Sequence, residues 1–190
     1  MTHHALHRSD RRRSAPCVLA LLGLAAMLAS GAASADGTGS TALYVGGSVG
    51  PARVQYEPDT FYAGSSGTGY QIDVGTQPIP EFAAELDYLG LPRAFSGANY
   101  VDTYGAGLSA LAILPIPVID VFGKVGLLDW RSRVRSELID FDRSGTNLSY
   151  GGGIGTSWGH LGARLEFERF DIPHAREMQL TSIGLTWALL

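Results

Sequence analysis

The sequence predicts an all-β fold: an eight-stranded antiparallel up-and-down β-barrel that spans a membrane and follows a cleaved leader segment. Three observations lead to this prediction. Apolar and polar residues alternate along the chain, short connections alternate with long ones, and the polar strand faces combine glycine with charges of both signs. A transmembrane barrel turns its apolar faces toward lipid and its polar faces toward the lumen.

Residues 1–35 have the pattern of a signal peptide. "HRSDRRRSAP" is a basic start, "CVLALLGLAAMLAS" an apolar run, and "ASA" before Asp36 predicts cleavage after Ala35. The sole cysteine, Cys17, precedes most of the apolar run, so neither lipid anchoring nor a disulfide is expected. Residues 36–190 then form one predicted barrel domain.

Composition narrows the class of protein. Charged residues make up 17% of the chain, below the usual share of about 25% in soluble domains. The net charge is −4, and the leader contains four arginines against one acid, so the predicted domain is more acidic still. Nucleic-acid binding requires a basic surface and is not expected.

Most of the eight predicted strands have the roughly 9–11 residues that a strand needs to tilt across a bilayer, and the first, which is shorter, is expected to continue through Tyr56. They cover residues 43–50, 69–77, 81–91, 100–113, 118–133, 148–158, 161–170 and 178–189. The connections "PIP", "LPIP" and "GH" are short, and they alternate with "PARVQYEPDTFYAGSSGT", "PRAFSGAN", "SRVRSELIDFDRSGTN" and "DIPHARE". Short turns on one rim and long loops on the other are typical of outer-membrane barrels.

The polar strand faces predict a lumen filled by paired charges, because an eight-stranded barrel is only just wide enough for side chains and buried charges require partners. The predicted network is Asp73, Glu85, Asp87, Lys124, Arg164, Glu166 and Glu168. A soluble barrel with a solvated polar face accounts equally well for the charges, but not for the sorted loops.

Aromatic residues near the strand ends predict two girdles at the bilayer interfaces. Those assigned to the girdles are Phe82, Trp130, Tyr150, Trp158, Phe170 and Trp187.

The third long connection is rich in arginine and predicts a contact with lipopolysaccharide phosphates, which arginine binds in bidentate fashion. The arginines are Arg131, Arg133, Arg135 and Arg143. The alternative is a salt-bridged surface loop, since Glu137, Asp140 and Asp142 lie among them.

Six stretches resemble the outer-membrane β-barrel family related to the membrane domain of outer membrane protein A. They are "YVGGSVG", "ELDYLGL", "VFGKVGLLDW", "LSYGGGIG", "LGARLEFERFD" and "SIGLTWAL". The resemblance implies an eight-stranded barrel in the outer membrane of a Gram-negative bacterium, inserted by the barrel-assembly machinery. Family members usually end in an aromatic residue, whereas this chain ends in Leu190.

The resemblance leaves three functions open. The first is a non-enzymatic, monomeric barrel with a structural or surface-contact role, in contact with outer-membrane lipids and lipopolysaccharide. The second is a small pore or transport protein of the porin-like class. The third, least favoured, is a lipid A-modifying enzyme.

Catalytic, metal and cofactor sites are not expected. In residues 36–190 the histidines are His160 and His174, and neither has a serine two residues away, as lipid A deacylases do. "GGGIG" does not precede a predicted helix and so lacks the context of a phosphate loop. Glu166 and Glu168 have a separation that a glycosidase pair could use, but pairing with Arg164 and Lys124 is the preferred interpretation.

Overall fold

A computed structural model describes residues 42–56, 63–96, 99–135, 141–173 and 175–189. The predicted leader, residues 1–35, lies outside these residues. Nine antiparallel strands form the wall. They are β1 (Ala42–Tyr56), β2 (Ala63–Ile79), β3 (Phe82–Gly90), β4 (Ala94–Ser96), β5 (Asn99–Ile116), β6 (Ile119–Arg135), β7 (Phe141–Trp158), β8 (Leu161–Phe170) and β9 (Ala175–Ala188).

The sheet closes on itself because β1 pairs with both β2 and β9. The short strand β4 pairs with β2 and β5, and so continues the place of β3 in the wall. An irregular step that contains Pro92 separates β3 from β4, as expected because proline cannot donate a ladder hydrogen bond. The wall therefore has eight positions, which confirms the predicted eight-stranded barrel.

Three tight turns, at Pro80 and Glu81, Pro117 and Val118, and Gly159 and His160, define one end of the barrel, here called the turn rim. Gly159 has φ 59, a left-handed conformation that glycine adopts without cost. The opposite end, where β1, β3, β6 and β8 finish, is called the loop rim.

Several strands run further toward the loop rim than the sequence predicts. β7 begins at Phe141 and β9 at Ala175, within segments expected to be loops. Their polar residues pair with β6 in continuous register and with β1 across one register shift between Gln55 and Tyr56. Apolar and polar residues alternate less regularly where the outward face lies beyond the lipid, so the sequence pattern ends before the strand does.

The two faces of the wall alternate along every strand. In β8, Gly162, Arg164, Glu166, Glu168 and Phe170 are buried, whereas the residues between them face outward. The outward side carries large exposed apolar side chains on all eight long strands. No helix in the described residues is long and apolar enough to cross a membrane.

Candidate functional site

All seven residues of the predicted charge network meet in one layer across the middle of the lumen, here called the charged layer. β2 contributes Asp73, β3 Glu85 and Asp87, β6 Lys124, and β8 Arg164, Glu166 and Glu168. Each is at most 9% exposed. Their alternation with outward apolar residues brings them to the same face, and barrel closure brings the four strands within side-chain reach.

Lys124 is the hub of this layer. Around the wall, β6 lies midway between β3 and β8, so the Lys124 ammonium can reach acids on both strands. Lys124 Nζ lies 3.2 Å from Glu85 Oε2 and 3.0 Å from Asp87 Oδ1. It also lies 3.2 Å from Glu166 Oε1 and 3.6 Å from Glu168 Oε2.

Arg164 ties opposite walls of the barrel together. Its Nη1 donates to Glu85 Oε1 on β3 at 2.6 Å, and its Nη2 donates to Asp73 Oδ1 on β2 at 2.8 Å. Its Nε lies 3.3 Å from Glu166 Oε2 on its own strand. Every edge of the guanidinium therefore faces a carboxylate, the geometry in which a buried arginine is best compensated.

Three neutral side chains donate hydrogen bonds to the charged layer, and they were not among the residues predicted for it. Tyr44 Oη donates to Glu85 at 2.8 Å, while Gln71 Nε2 and Ser109 Oγ donate to Asp87 at 2.9 and 2.7 Å. All three share the inward alternation of their strands, which is the signal that could have found them. Even so, five carboxylates face two cations in this layer.

Glycines of the inward face allow the wall to close tightly around these charges. A Cβ on Gly151 or Gly153 would collide with backbone carbonyl oxygens of β8, and one on Gly46 would collide with the Asp73 carboxylate. The close approach of β7 to β8 thus explains Gly151 and Gly153 of the "GGGIG" stretch.

An apolar layer fills the lumen between the charged layer and the loop rim, which the sequence did not predict. Leu89, Met178 and Leu180 are only 1–2% exposed. The loop-side apolar layer consists of Ala52, Val54, Leu89, Leu91, Val101, Leu128, Trp130, Phe170, Ile172, Met178 and Leu180. A smaller cluster of Ala83, Leu111 and Phe122 packs on the turn side of the charges.

Two of the six residues assigned to the aromatic girdles are misplaced. Trp130 and Phe170 are each 4% exposed and belong to the loop-side apolar layer. Trp130 lies six residues from Lys124 on an uninterrupted strand and Phe170 two residues from Glu168, so both share the inward face. Inside the lumen, Trp130 Nε1 donates to Asn147 Oδ1 at 2.9 Å.

The other four girdle residues face outward. Phe82, Trp158 and Trp187 lie near the turn rim and are 54%, 66% and 52% exposed. Tyr150 is exposed on β7 toward the loop rim. The exposed aromatic pair Tyr70 and Tyr88, with ring centroids 6.4 Å apart, lies on the same outward side.

The arginine group splits between the two faces of the wall and lies on strands. Arg131 and Arg133 are exposed near the end of β6, and the Arg133 guanidinium lies 5.5 Å from the Tyr104 ring centroid. Arg143 pairs across the ladder with buried Ser132 and so faces inward. The side chain of Arg135 lies outside the described part of the structure.

A cavity of about 290 Å³ lies between the charged layer and the turn rim, where it opens. Tyr44, Asp120, Phe122 and Arg164 contribute to its lining. Its inner end is the charged layer itself, so among the described residues it reaches from the turn rim no further than that layer.

No metal-binding group of three or more histidine, cysteine or acidic residues is present in the described ranges. His160 lies in a tight turn, where its ring stacks on Trp187 with centroids 6.1 Å apart. His174 lies outside the described residues.

The closed wall, the outward apolar surface and the charged lumen define a transmembrane β-barrel. Residues 21–187 match the family described as outer membrane protein beta-barrel domain, and the chain belongs to that family. No curated protein matches the sequence significantly.

Solved structures share the fold at low sequence identity. Neisserial surface protein A is 15% identical with a TM-score of 0.62, over 76% of this chain and 96% of that one. The N-terminal β-barrel domain of Pseudomonas aeruginosa OprF is 12% identical with a TM-score of 0.56, over 77% and 97%. Ail, the attachment invasion locus protein of Yersinia pestis, is 12% identical with a TM-score of 0.54, over 77% and 99%.

Proposed function

We propose that the protein is a non-enzymatic outer-membrane barrel with a structural and surface-contact role, whose lumen is sealed. The filled lumen carries this proposal. The charged layer ties four strands together, and the loop-side apolar layer covers it from the other end. A barrel filled in this way stabilises its own wall without offering a path for solutes.

The porin-like alternative requires a continuous polar path through the barrel. The cavity at the turn rim ends at Arg164 and Glu85, and buried apolar side chains such as Leu89 and Met178 lie beyond them. An ion crossing this apolar layer would lose its hydration without gaining partners, which is strongly unfavourable.

Planar-bilayer recording of the purified, refolded protein tests the sealed lumen. We expect no reproducible single-channel events at low protein concentration, together with heat-modifiable gel mobility and β-rich circular dichroism in detergent. Regular conductance steps from heat-modifiable protein would favour the pore. Solubility in water without detergent and an unchanged band on heating would contradict the membrane barrel altogether.

Lipopolysaccharide contact is a second part of the proposal, supported by the outward position of Arg131 and Arg133 toward the loop rim. This function requires outer-membrane delivery, and hence the predicted leader and the barrel-assembly machinery. On β9, Ile183, Leu185 and Trp187 present the outward apolar alternation expected of an insertion signal. Fractionation of cells that express the full chain should recover a shortened, heat-modifiable protein in the outer membrane.

The enzyme alternative predicts altered lipid A. Mass spectrometry of lipid A from cells with and without the gene should show identical acyl patterns. A missing or added acyl chain in one strain would replace the structural role with a catalytic one.

A further inference from the structure

On three neighbouring strands, the apolar outer surface gives way to a row of polar side chains. Arg169 on β8 pairs across the ladder with Gln179 on β9, and Gln179 pairs with Arg53 on β1. Cross-strand partners share a face, and both arginines are exposed on the outward side. Arg53, Gln179 and Arg169, here called the arginine row, therefore lie side by side on the outside of the wall.

The arginine row lies at the loop-side margin of the lipid-facing surface. From the turn rim, the outward residues of β8 are Leu161, Ala163, Leu165 and Phe167, followed by Arg169. On β1, Val45, Gly47, Val49 and Pro51 precede Arg53 in the same way. Eight residues of a strand tilted by about 40° rise roughly 20 Å along the membrane normal, close to the roughly 25 Å apolar band of such barrels.

Neither arginine of the row forms an ion pair with an acid in the described part of the chain. On the outward face, the nearest acids are Asp171, just after β8, and Glu177 on β9, each two residues further toward the loop rim. Two other exposed arginines, Arg133 and Arg93, have a different environment. Arg133 has Asp102 and Asp142 as its two cross-strand neighbours, and Arg93 Nε is 2.6 Å from Asp102 Oδ1.

We propose that the arginine row binds the phosphate group of a membrane lipid in the outer leaflet. Two strand spacings of about 4.8 Å separate the arginines, so both guanidinium groups can converge on one headgroup above the Gln179 amide. Arginine matches phosphate in bidentate geometry. Tyr150, the cross-strand neighbour of Arg169, adds an exposed ring at the interface depth that aromatic residues favour.

This inference rests on the proposed outer-membrane location, and it adds a second site on β1, β8 and β9 to the contact proposed for Arg131 and Arg133 on β6. The ligand chemistry is a phosphate on a lipid anchored beside the wall. Lipid A and an anionic glycerophospholipid both supply it, and the experiment distinguishes them.

The test measures lipid affinity of the refolded protein in dodecylmaltoside by native mass spectrometry. The probes are diphosphoryl lipid A, dephosphorylated lipid A and phosphatidylglycerol. The variants are Arg53→Gln with Arg169→Gln, Arg131→Gln with Arg133→Gln, and Arg93→Gln as a control whose guanidinium is already paired. Heat-modifiable mobility verifies that each variant is folded.

We expect the Arg53→Gln and Arg169→Gln pair to lower lipid A affinity about tenfold, equal to about 1.4 kcal/mol, with dephosphorylated lipid A unaffected. Arg93→Gln should bind as the wild type does. A matching loss for phosphatidylglycerol would identify a general lipid-phosphate site, and a loss for lipid A alone a lipid A site.

Wild-type affinity in the Arg53 and Arg169 double variant, or loss only in the Arg131 and Arg133 pair, would overturn the proposal. So would equal binding of phosphorylated and dephosphorylated lipid A by the wild type. Each of these results leaves the conductance and heat-modification readouts of the sealed barrel unchanged, so failure of this site is distinguishable from failure of the proposed function.

Discussion

Replacing Lys124 with methionine tests whether the charged layer stabilises the barrel. The ammonium lies 3.0–3.6 Å from four carboxylates on β3 and β8. At an effective dielectric constant of 20, each such pair contributes roughly 5 kcal/mol of gross attraction, most of which offsets the cost of burying the charges. Methionine is unbranched and one atom shorter than lysine, and it removes the ammonium from all four acids, so that Asp87 and Glu168 lose their ion-pair partner in the described residues.

Removing one partner from a buried ion pair costs about 3–5 kcal/mol, and we expect a loss of that size in the free energy of unfolding. The measurement is urea unfolding in lipid vesicles, followed by tryptophan fluorescence and extrapolated linearly to water. Conductance recordings of the folded variant should stay silent, because the loop-side apolar layer is unchanged.

The matched control adds Glu168→Gln, because Lys124 is the only ion-pair partner of Glu168 in the described residues. In a double-mutant cycle the second substitution should restore part of the stability lost on removing Lys124, since it removes one of the uncompensated acids. A loss below about 1 kcal/mol for Lys124→Met, the size of an ordinary substitution, would refute the claim that Lys124 compensates buried carboxylates.

Three further comparisons test the faces and the closure of the wall by the same unfolding measurement. Lysine at Leu165, near mid-span on the outward face, should cost about 2–4 kcal/mol and aspartate less, and full tolerance of both would reverse the assigned orientation. Trp130→Ala should lower the free energy of unfolding by about 3–5 kcal/mol, because it leaves a cavity in the lumen. Trp158→Ala on the exposed surface should cost less, and equal losses would contradict the inward placement of Trp130. Gly151→Ala should destabilise the barrel because the added Cβ meets a backbone carbonyl oxygen. Gly155→Ala should be tolerated, since its Cβ would have no heavy atom closer than 3.6 Å. Similar losses in the two variants would argue against tight closure at β7.

The alternation of residues was sufficient to predict which side chains of the charged layer point inward. A period of two is a local property, so Glu166 and Glu168 share a face whatever the rest of the chain does. The same local rule predicts that Leu165 and Phe167 lie on the outward face, where they are exposed.

The same rule would have corrected the girdle assignment. Trp130 and Phe170 were placed by their nearness to a strand end, although each has the inward parity of its strand. What the sequence left open was whether β6 continues without a bulge as far as Trp130. The uninterrupted register between β6 and β7 decides this.

Local patterns were sufficient to predict the eight positions in the wall, the order of short and long connections and the character of each face, because these depend on neighbours along the chain. The side-chain partners across the lumen and at the seam depend on closure of the barrel. Arg164 binds Asp73 across 91 residues of sequence, and Arg53 meets Gln179 only because β1 closes onto β9. Such contacts depend on closure of the sheet, and no local pattern encodes them.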